Sequence, residues 1–474
     1  MHSADRVPWM SRLAYSLGNV CEAVLSRSFE LFVLFFYTQV CGLSGSVAGV
    51  AILLAMIFDA ITDPLVGTYS DALQSRWGRR HTLMFASALP TALFFVALFA
   101  PPEGLQGLAL GAWLAFTAIG LRVSVTFFHI PWSTQIAELT SDPRERVTLA
   151  VLRNIFAAAA NFAVVALAFD VFFVDTVEYP RGQENPAAYL PFAVAIGGTL
   201  VLVILFSAAG TWQRLQVFER AQPPSTARVS LAGLWAAWQD ILMKFRNFRC
   251  LIFGSLFLLT AFSIYNAMSL YLGGYFWELS STQIKNWQFA VILGAAATLV
   301  VGKLVVDRLP HPPLFTACIG LGVGLFAAPL LLRLSGLLPS GSEFVMPVLL
   351  GANFLAGLAL GIVMIVSAVI ASESADEYER RKGIKATAML FGFIFLAMKT
   401  ASGLGKLMAG VIVDIVQLPA AADAASITPG QITHLGWWCA GTLLVLGIFG
   451  VVSFSGYRSP QRDPSLPDPV AQRV

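Results

Sequence analysis

Twelve runs of about twenty apolar residues, separated by short polar stretches, leave this chain few ways to fold. The runs lie near 11–39, 46–70, 82–101, 105–138, 147–172 and 188–212, then near 248–276, 284–306, 312–336, 344–372, 384–416 and 432–456. Inside hydrocarbon, backbone polar groups must be satisfied within the segment, so each run is expected to be a membrane-spanning α-helix. Composition agrees, with 57% hydrophobic and 12% charged residues, against about 25% charged in an average soluble domain. A polar stretch from Gln213 to Arg249 divides the runs six and six; within it, Trp235, Trp238 and Leu242 in the segment Leu231 to Phe245 suggest an amphipathic interfacial helix. The expected architecture is an all-α membrane protein of two six-helix bundles, 1–212 and 248–456, with a linker over 213–247 and a tail over 457–474.

Basic residues set the orientation. One set of loops carries Arg76, Arg79, Arg80, Arg144, Arg146, Arg214, Arg308, Arg380 and Arg381, whereas the alternate set has little beyond Arg181 and Lys285 and holds Glu103, Asp175, Glu178 and Glu184. Both termini are therefore expected in the cytoplasm. A net charge of +3 is too small to imply a nucleic-acid partner. The five cysteines show no CxxC spacing and mostly sit in apolar runs, so they read as small core residues. The first ten residues are short and mixed, and no cleaved leader is expected. The absence of an Asn-x-Ser/Thr sequon fits a bacterial protein without establishing one.

Within the second run stand two acids, in Ile57-Phe58-Asp59-Ala60-Ile61-Thr62-Asp63-Pro64. Side chains at i and i+4 share a helical face, so both carboxylates project together. An ionised group at bilayer depth costs roughly 2.5–3.5 kcal/mol on insertion scales, and a like pair adds repulsion. A cation, a proton or a basic partner must compensate, and Lys399 stands within another apolar run. That is the outline of an ion-coupled transporter. No GxxxxGK[ST] loop is present to couple ATP, and no nucleophile–base–orienter set suggests an enzyme. The only expected cofactor is a coupling ion, sodium first, with a proton or lithium as alternatives.

After the second run comes Gly67-Thr68-Tyr69-Ser70-Asp71 and then Arg76-Trp77-Gly78-Arg79-Arg80, echoed by Gly302-Lys303-Leu304-Val305-Val306-Asp307-Arg308 in the second half. Both resemble the loop signature of the major facilitator superfamily. Asp71, Arg76, Arg79, Arg80, Asp307 and Arg308 are the expected gating residues, able to pair across the bundles; a bland alternative is that the arginines only set topology. The string Phe58 to Gly67, with Ser75-Arg76-Trp77-Gly78, Ile130-Pro131-Trp132-Ser133 and the acidic run Glu373 to Glu379, looks like the glycoside–pentoside–hexuronide:cation symporters, the melibiose permease group.

That resemblance implies a cation site of Asp59, Thr62 and Asp63, joined by Thr126 from the fourth helix, with Lys399 near it. Melibiose permeases hold sugar with acids on the first and fourth helices, where this chain has Ala23 and His129, while Arg153 on the fifth helix is kept. Arg153, His129 and Lys399 are donor-rich and suit an anionic group, phosphate above all. The strings Phe58 to Gly67 and Phe128-His129-Ile130-Pro131 more closely resemble the animal sodium-dependent lysophosphatidylcholine symporters. Expected substrate-binding residues are thus Lys399, Arg153, His129 and Glu22. Structural alternatives stay open: His129 donating to a carbonyl freed by Pro131, Arg153 paired with Glu22, Lys399 as counter-ion to the acids, and Glu22, Arg27 and Glu30 as an internal ion ladder. Lys406 is the less favoured substrate ligand.

The expectation is sodium-coupled symport of a lysophospholipid by alternating access, in a bacterial inner membrane, by a monomer. The alternative cargo is a sugar or glycoside. A lipid flippase without ion coupling, or a receptor that binds without transporting, would not need the charge cluster.

Overall fold

The computed structural model describes residues 7–73, 75, 77–221, 239, 243, 245–382, 387–419 and 427–457. The expected amphipathic helix over 231–245 falls almost wholly outside these residues, as do Arg76 and the tail after 457. The long helices are α1 (Trp9–Phe35), α2 (Gly45–Ala72), α3 (Arg79–Leu98), α4 (Gly107–Leu139), α5 (Pro143–Leu167), α6 (Tyr189–Ala221), α7 (Arg246–Tyr271), α8 (Ser281–Val306), α9 (His311–Leu334), α10 (Val345–Lys382), α11 (Thr387–Val416) and α12 (Pro429–Ser455).

Among the described residues eleven helices are long and apolar enough to cross a membrane. The remaining one, α1, has 27 residues, a length of about 40 Å at the helical rise per residue. It differs in carrying Arg12, Glu22, Arg27 and Glu30. Charges at that depth must be turned toward protein rather than lipid, and α1 packs against α5 and α6.

The chain forms two compact units. The first comprises Met1–Val229, Asn266–Phe289 and Lys406–Leu435; the second comprises Ser230–Tyr265, Ala290–Gly405 and Gly436–Val474. The first unit thus holds α1 to α6 together with the ends of α7, α8, α11 and α12 next to the acidic loops. In it α4 packs on α2 and α3, and α6 on α1 and α3.

At that end two carboxylates close two helix N-termini in parallel fashion. Asp414, late in α11, accepts from the Gly45 and Ser46 amides at 2.6 and 2.8 Å and from the Ser44 hydroxyl at 2.8 Å. Asp175, after α5, accepts from the Ser281 amide at 3.0 Å and from the Ser281 hydroxyl. Orphan N–H groups and the positive end of the helix dipole favour an anion at both places. The chain leading into each capped helix also repeats: α1 and α7 end in π-helical turns, Phe36–Val40 and Leu272–Phe276. These are closed by Cys41 N–H to Phe36 O and Leu43 N–H to Tyr37 O, and by Trp277 N–H to Leu272 O and Leu279 N–H to Gly273 O.

Backbone meets backbone beside the first cap. A Cβ on Gly410 would lie 1.9 Å from the Gly45 carbonyl oxygen, and one on Gly45 would lie 2.2 Å from that of Gly410. Only glycine at both positions permits this approach of α11 to α2.

The basic-loop end is closed by side chains. The last carbonyls of α4 accept from Arg146, at 3.1 Å for Ala137 and 2.9 Å for Thr140, and from Arg214, at 3.3 Å for Leu139. Cations there match the negative end of the helix. In the second unit, Glu373 meets His311 Nδ1 at 3.4 Å and the Tyr457 hydroxyl at 3.2 Å, and Glu377 accepts from Asn247 at 3.0 Å. Phe245, Phe248, Tyr378 and Phe393 form an apolar cluster around these acids' helix.

Candidate functional site

Asp59 and Asp63 lie on one face of α2, as their spacing requires, and both reach the same side chain on α4. The Thr126 hydroxyl is 3.1 Å from Asp59 Oδ1 and 3.2 Å from Asp63 Oδ1, and 2.9 Å from the Arg122 carbonyl oxygen. A threonine hydroxyl has one proton to give. Three acceptor oxygens converge on it, so it can satisfy one of them. Asp59 is 3% exposed and Thr126 2%. Two carboxylates gathered this closely favour a cation or a shared proton between them. Oxygen ligands of this kind suit a hard monovalent ion. Thr62 is not brought into this arrangement by its hydroxyl, which donates at 3.1 Å to the Asp59 backbone carbonyl. Back-bonding to the preceding turn is the common resting state of a mid-helix threonine.

A second group forms around Trp132, also on α4. Its indole N–H donates to the Tyr15 carbonyl at 2.8 Å, and its ring stacks on that of Tyr15 at 5.2 Å. His129 packs its ring 5.5 Å from Trp132, and the Arg153 guanidinium sits 5.8 Å over it while donating to the Tyr15 hydroxyl at 3.4 Å. Trp132 and Tyr15 are fully buried, and His129 and Arg153, both half-buried, each pack against Trp132. Among the described residues His129 makes no hydrogen bond to a carbonyl freed by Pro131. Arg153 is held by Tyr15 rather than by Glu22, whose carboxylate accepts from Ser26 at 2.6 Å. Lys399 is half-buried on α11, within the second unit.

The residues expected to gate divide. Arg80, 8% exposed, donates to Asp71 at 3.3 Å and pairs with Glu138 at 2.5 Å, and Arg79 reaches Glu138 at 3.6 Å. The network therefore ties α2, α3 and α4 through an acid the sequence reading passed over. A readable signal existed: Glu138 stands in the last turn of α4, where the helix dipole disfavours an acid unless a cation compensates. Asp307 and Arg308 are exposed, and among the described residues neither side chain makes a hydrogen bond or an ion pair.

Two buried cations meet at one aromatic ring of α1, and a half-buried one stands on the same helix. Arg122 on α4 is 7% exposed and its guanidinium carbon sits 4.8 Å from the centre of the Phe29 ring. Lys406 on α11 is 1% exposed, 5.9 Å from the same ring centre and 4.0 Å from Glu30. Arg27, half-buried, donates to Asn161 at 3.3 Å and to Asn266 at 3.4 Å. The members of the expected ion ladder on α1 thus reach different partners: Ser26 for Glu22, two asparagines for Arg27 and Lys406 for Glu30. Arg122 was missed although a lone arginine in the apolar run 105–138 is itself a signal.

The family described as MFS/sugar transport protein matches residues 14–458. The isoprimeverose transporter of Lactiplantibacillus pentosus is 25% identical over 413 residues, covering 86% of this chain and 80% of that protein. A glucuronide carrier protein homolog of Escherichia coli strain K12 is 25% identical over 426 residues, covering 88% and 87%. In three dimensions the chain is similar to a D-xylose-proton symporter, with a TM-score of 0.61 and 14% identity over 96% of this chain and 99% of that one. The last likeness concerns the fold alone.

Proposed function

Because this chain belongs to the MFS/sugar transport protein family, we propose that it is a secondary transporter coupling a sugar or glycoside to a monovalent cation, sodium first. The observation that carries this reading is Thr126 held between Asp59 and Asp63 in a buried setting on α2 and α4. A cation arriving there relieves the carboxylate repulsion, so its binding can bias the alternating-access equilibrium, and cargo that binds only one of the two resulting states is coupled to it.

The cargo assignment departs from the lysophospholipid expectation. Relatives named for isoprimeverose and glucuronide support a glycoside instead. His129, Arg153 and Glu22 would offer sugar hydroxyls two donors and an acceptor, and Lys399 on α11 is proposed as a further cargo residue. The donor-rich character of His129 and Arg153 is the one feature that still speaks for a phosphate-bearing lipid. Asp71, Arg79 and Arg80, with Asp307, Arg308 and Arg76, serve the gate at the basic-loop end. That end faces the cytoplasm of a bacterial cell, with both termini there, and the transporter works as a monomer.

Reconstituted uptake tests the reading. Proteoliposomes are given labelled isoprimeverose, a labelled glucuronide or labelled lysophosphatidylcholine, each with and without a sodium gradient. The expected result is sodium-stimulated, saturable uptake of a glycoside. Sodium-stimulated uptake of the lipid with no glycoside uptake would overturn it.

A further inference from the structure

We infer that Arg122 and Lys406 form a binding site for an oxyanion carried by the transported solute. The inference rests on the proposed transport reading and names a cargo class for it.

The site is built within the first unit: Arg122 comes from α4 and Lys406 from α11, and both approach the Phe29 ring of α1. Among the described residues the Arg122 guanidinium has no hydrogen-bond or ion-pair partner, and its Nε is buried without one. Its described contact is the face of Phe29, which is itself fully buried. A cation–π contact at an exposed site is worth about 0.5–1 kcal/mol and more when desolvated, which is small beside the cost of burying a guanidinium. A guanidinium that is 7% exposed, with its Nε buried and unsatisfied, calls for an acceptor.

The charges around it do not supply one. Glu30 lies at 4.0 Å from Lys406, the limit of an ion pair. Arg27 is spent on the neutral amides of Asn161 and Asn266. Glu22 is held by Ser26 and Arg153 by Tyr15. Asp59 and Asp63 are gathered at Thr126, one helical turn along α4 from Arg122. A carboxylate, sulfonate or phosphate on the solute supplies acceptors for Arg122, and a bidentate bond to the guanidinium fork fixes its orientation.

The test measures binding to the full chain in nanodiscs, with sodium present, for two matched pairs of probes. One pair is 4-nitrophenyl β-glucuronide and 4-nitrophenyl β-glucoside, which differ by a carboxylate. The other is lysophosphatidylglycerol and a monoacylglycerol of the same chain. The expected result is a preference of about tenfold or more for the glucuronide over the glucoside. That ratio should collapse toward one in Arg122→Gln and in Lys406→Gln, and should recover in part in Arg122→Lys. If wild-type protein binds both glycosides equally, the anion site is overturned while glycoside transport stands, and this outcome needs no variant. A ratio that survives both glutamine substitutions also overturns it. Discrimination within the lipid pair alone, with neither glycoside bound, keeps the anion site and overturns the glycoside reading.

Discussion

Asp414 closes the N-terminus of α2 by accepting from the Gly45 amide at 2.6 Å, although 369 positions separate the two residues. With Asp175 at the start of α8, it makes the acidic-loop end of the first unit a place where carboxylates distant in sequence hold helix ends.

The first expectation follows from that cap. Removing a capping side chain costs about 0.5–2 kcal/mol, enough to shift an equilibrium between conformers of similar energy. Cys41 lies beside α2, its thiol pushed up to about 12 by burial. The thiolate is the reacting form, so labelling by a membrane-impermeant maleimide should be slow and should rise about tenfold per pH unit below that value. Asp414→Ala should speed the labelling of Cys41 in a background carrying Cys21→Ser, Cys250→Ser, Cys318→Ser and Cys439→Ser. Unchanged labelling would mean the cap holds nothing shut.

Gly410 gives a sharper steric test. Gly410→Ala places a methyl 1.9 Å from the Gly45 carbonyl oxygen, and overpacking of this kind costs typically about 1–3 kcal/mol. The melting temperature in detergent should fall, whereas Gly430→Ala, where the nearest atom lies 3.9 Å away, should leave it nearly unchanged. Equal effects at the two sites would refute the close approach of α2 and α11.

The basic-loop network ranks its acids. Glu138 is enclosed with Arg79 and Arg80, while the Asp71 side chain is 44% exposed. Breaking a buried pair costs about 3–5 kcal/mol, and an exposed one about 0–1. Glu138→Ala should therefore destabilise the protein far more than Asp71→Ala in a detergent melt. The reverse order would remove Glu138 from the centre of the network.

Much of this was legible in the chain. Run lengths gave twelve spans; among the described residues eleven helices are long and apolar enough to cross a membrane, and α1 matches them in length but carries four charges. The i, i+4 spacing placed Asp59 and Asp63 on one face, and resemblance brought Thr126 to them. Thr62 was expected among the cation ligands, but sequence does not say whether its hydroxyl turns to a carboxylate or, as it does, to its own backbone. Partners across the fold were harder still. Nothing in the pattern links Asp414 to Gly45, Glu138 to Arg80 or Lys406 to Glu30, because periodicity fixes the face of a helix and not its neighbour.

The coupling ion's seat carries the account, and transport by carboxylate variants tests it most directly. Uptake of a labelled glycoside is measured in proteoliposomes of wild type, Asp59→Asn, Asp63→Asn and Thr126→Val, with sodium, lithium or a proton gradient imposed in turn. Wild type should show stimulation by one of these ions. Both asparagine variants should lose that stimulation while still exchanging glycoside at equilibrium, and Thr126→Val should need a higher ion concentration, since one ligand of the pair is gone. Full ion dependence retained in Asp59→Asn and Asp63→Asn would contradict the account, because the coupling ion would then bind elsewhere.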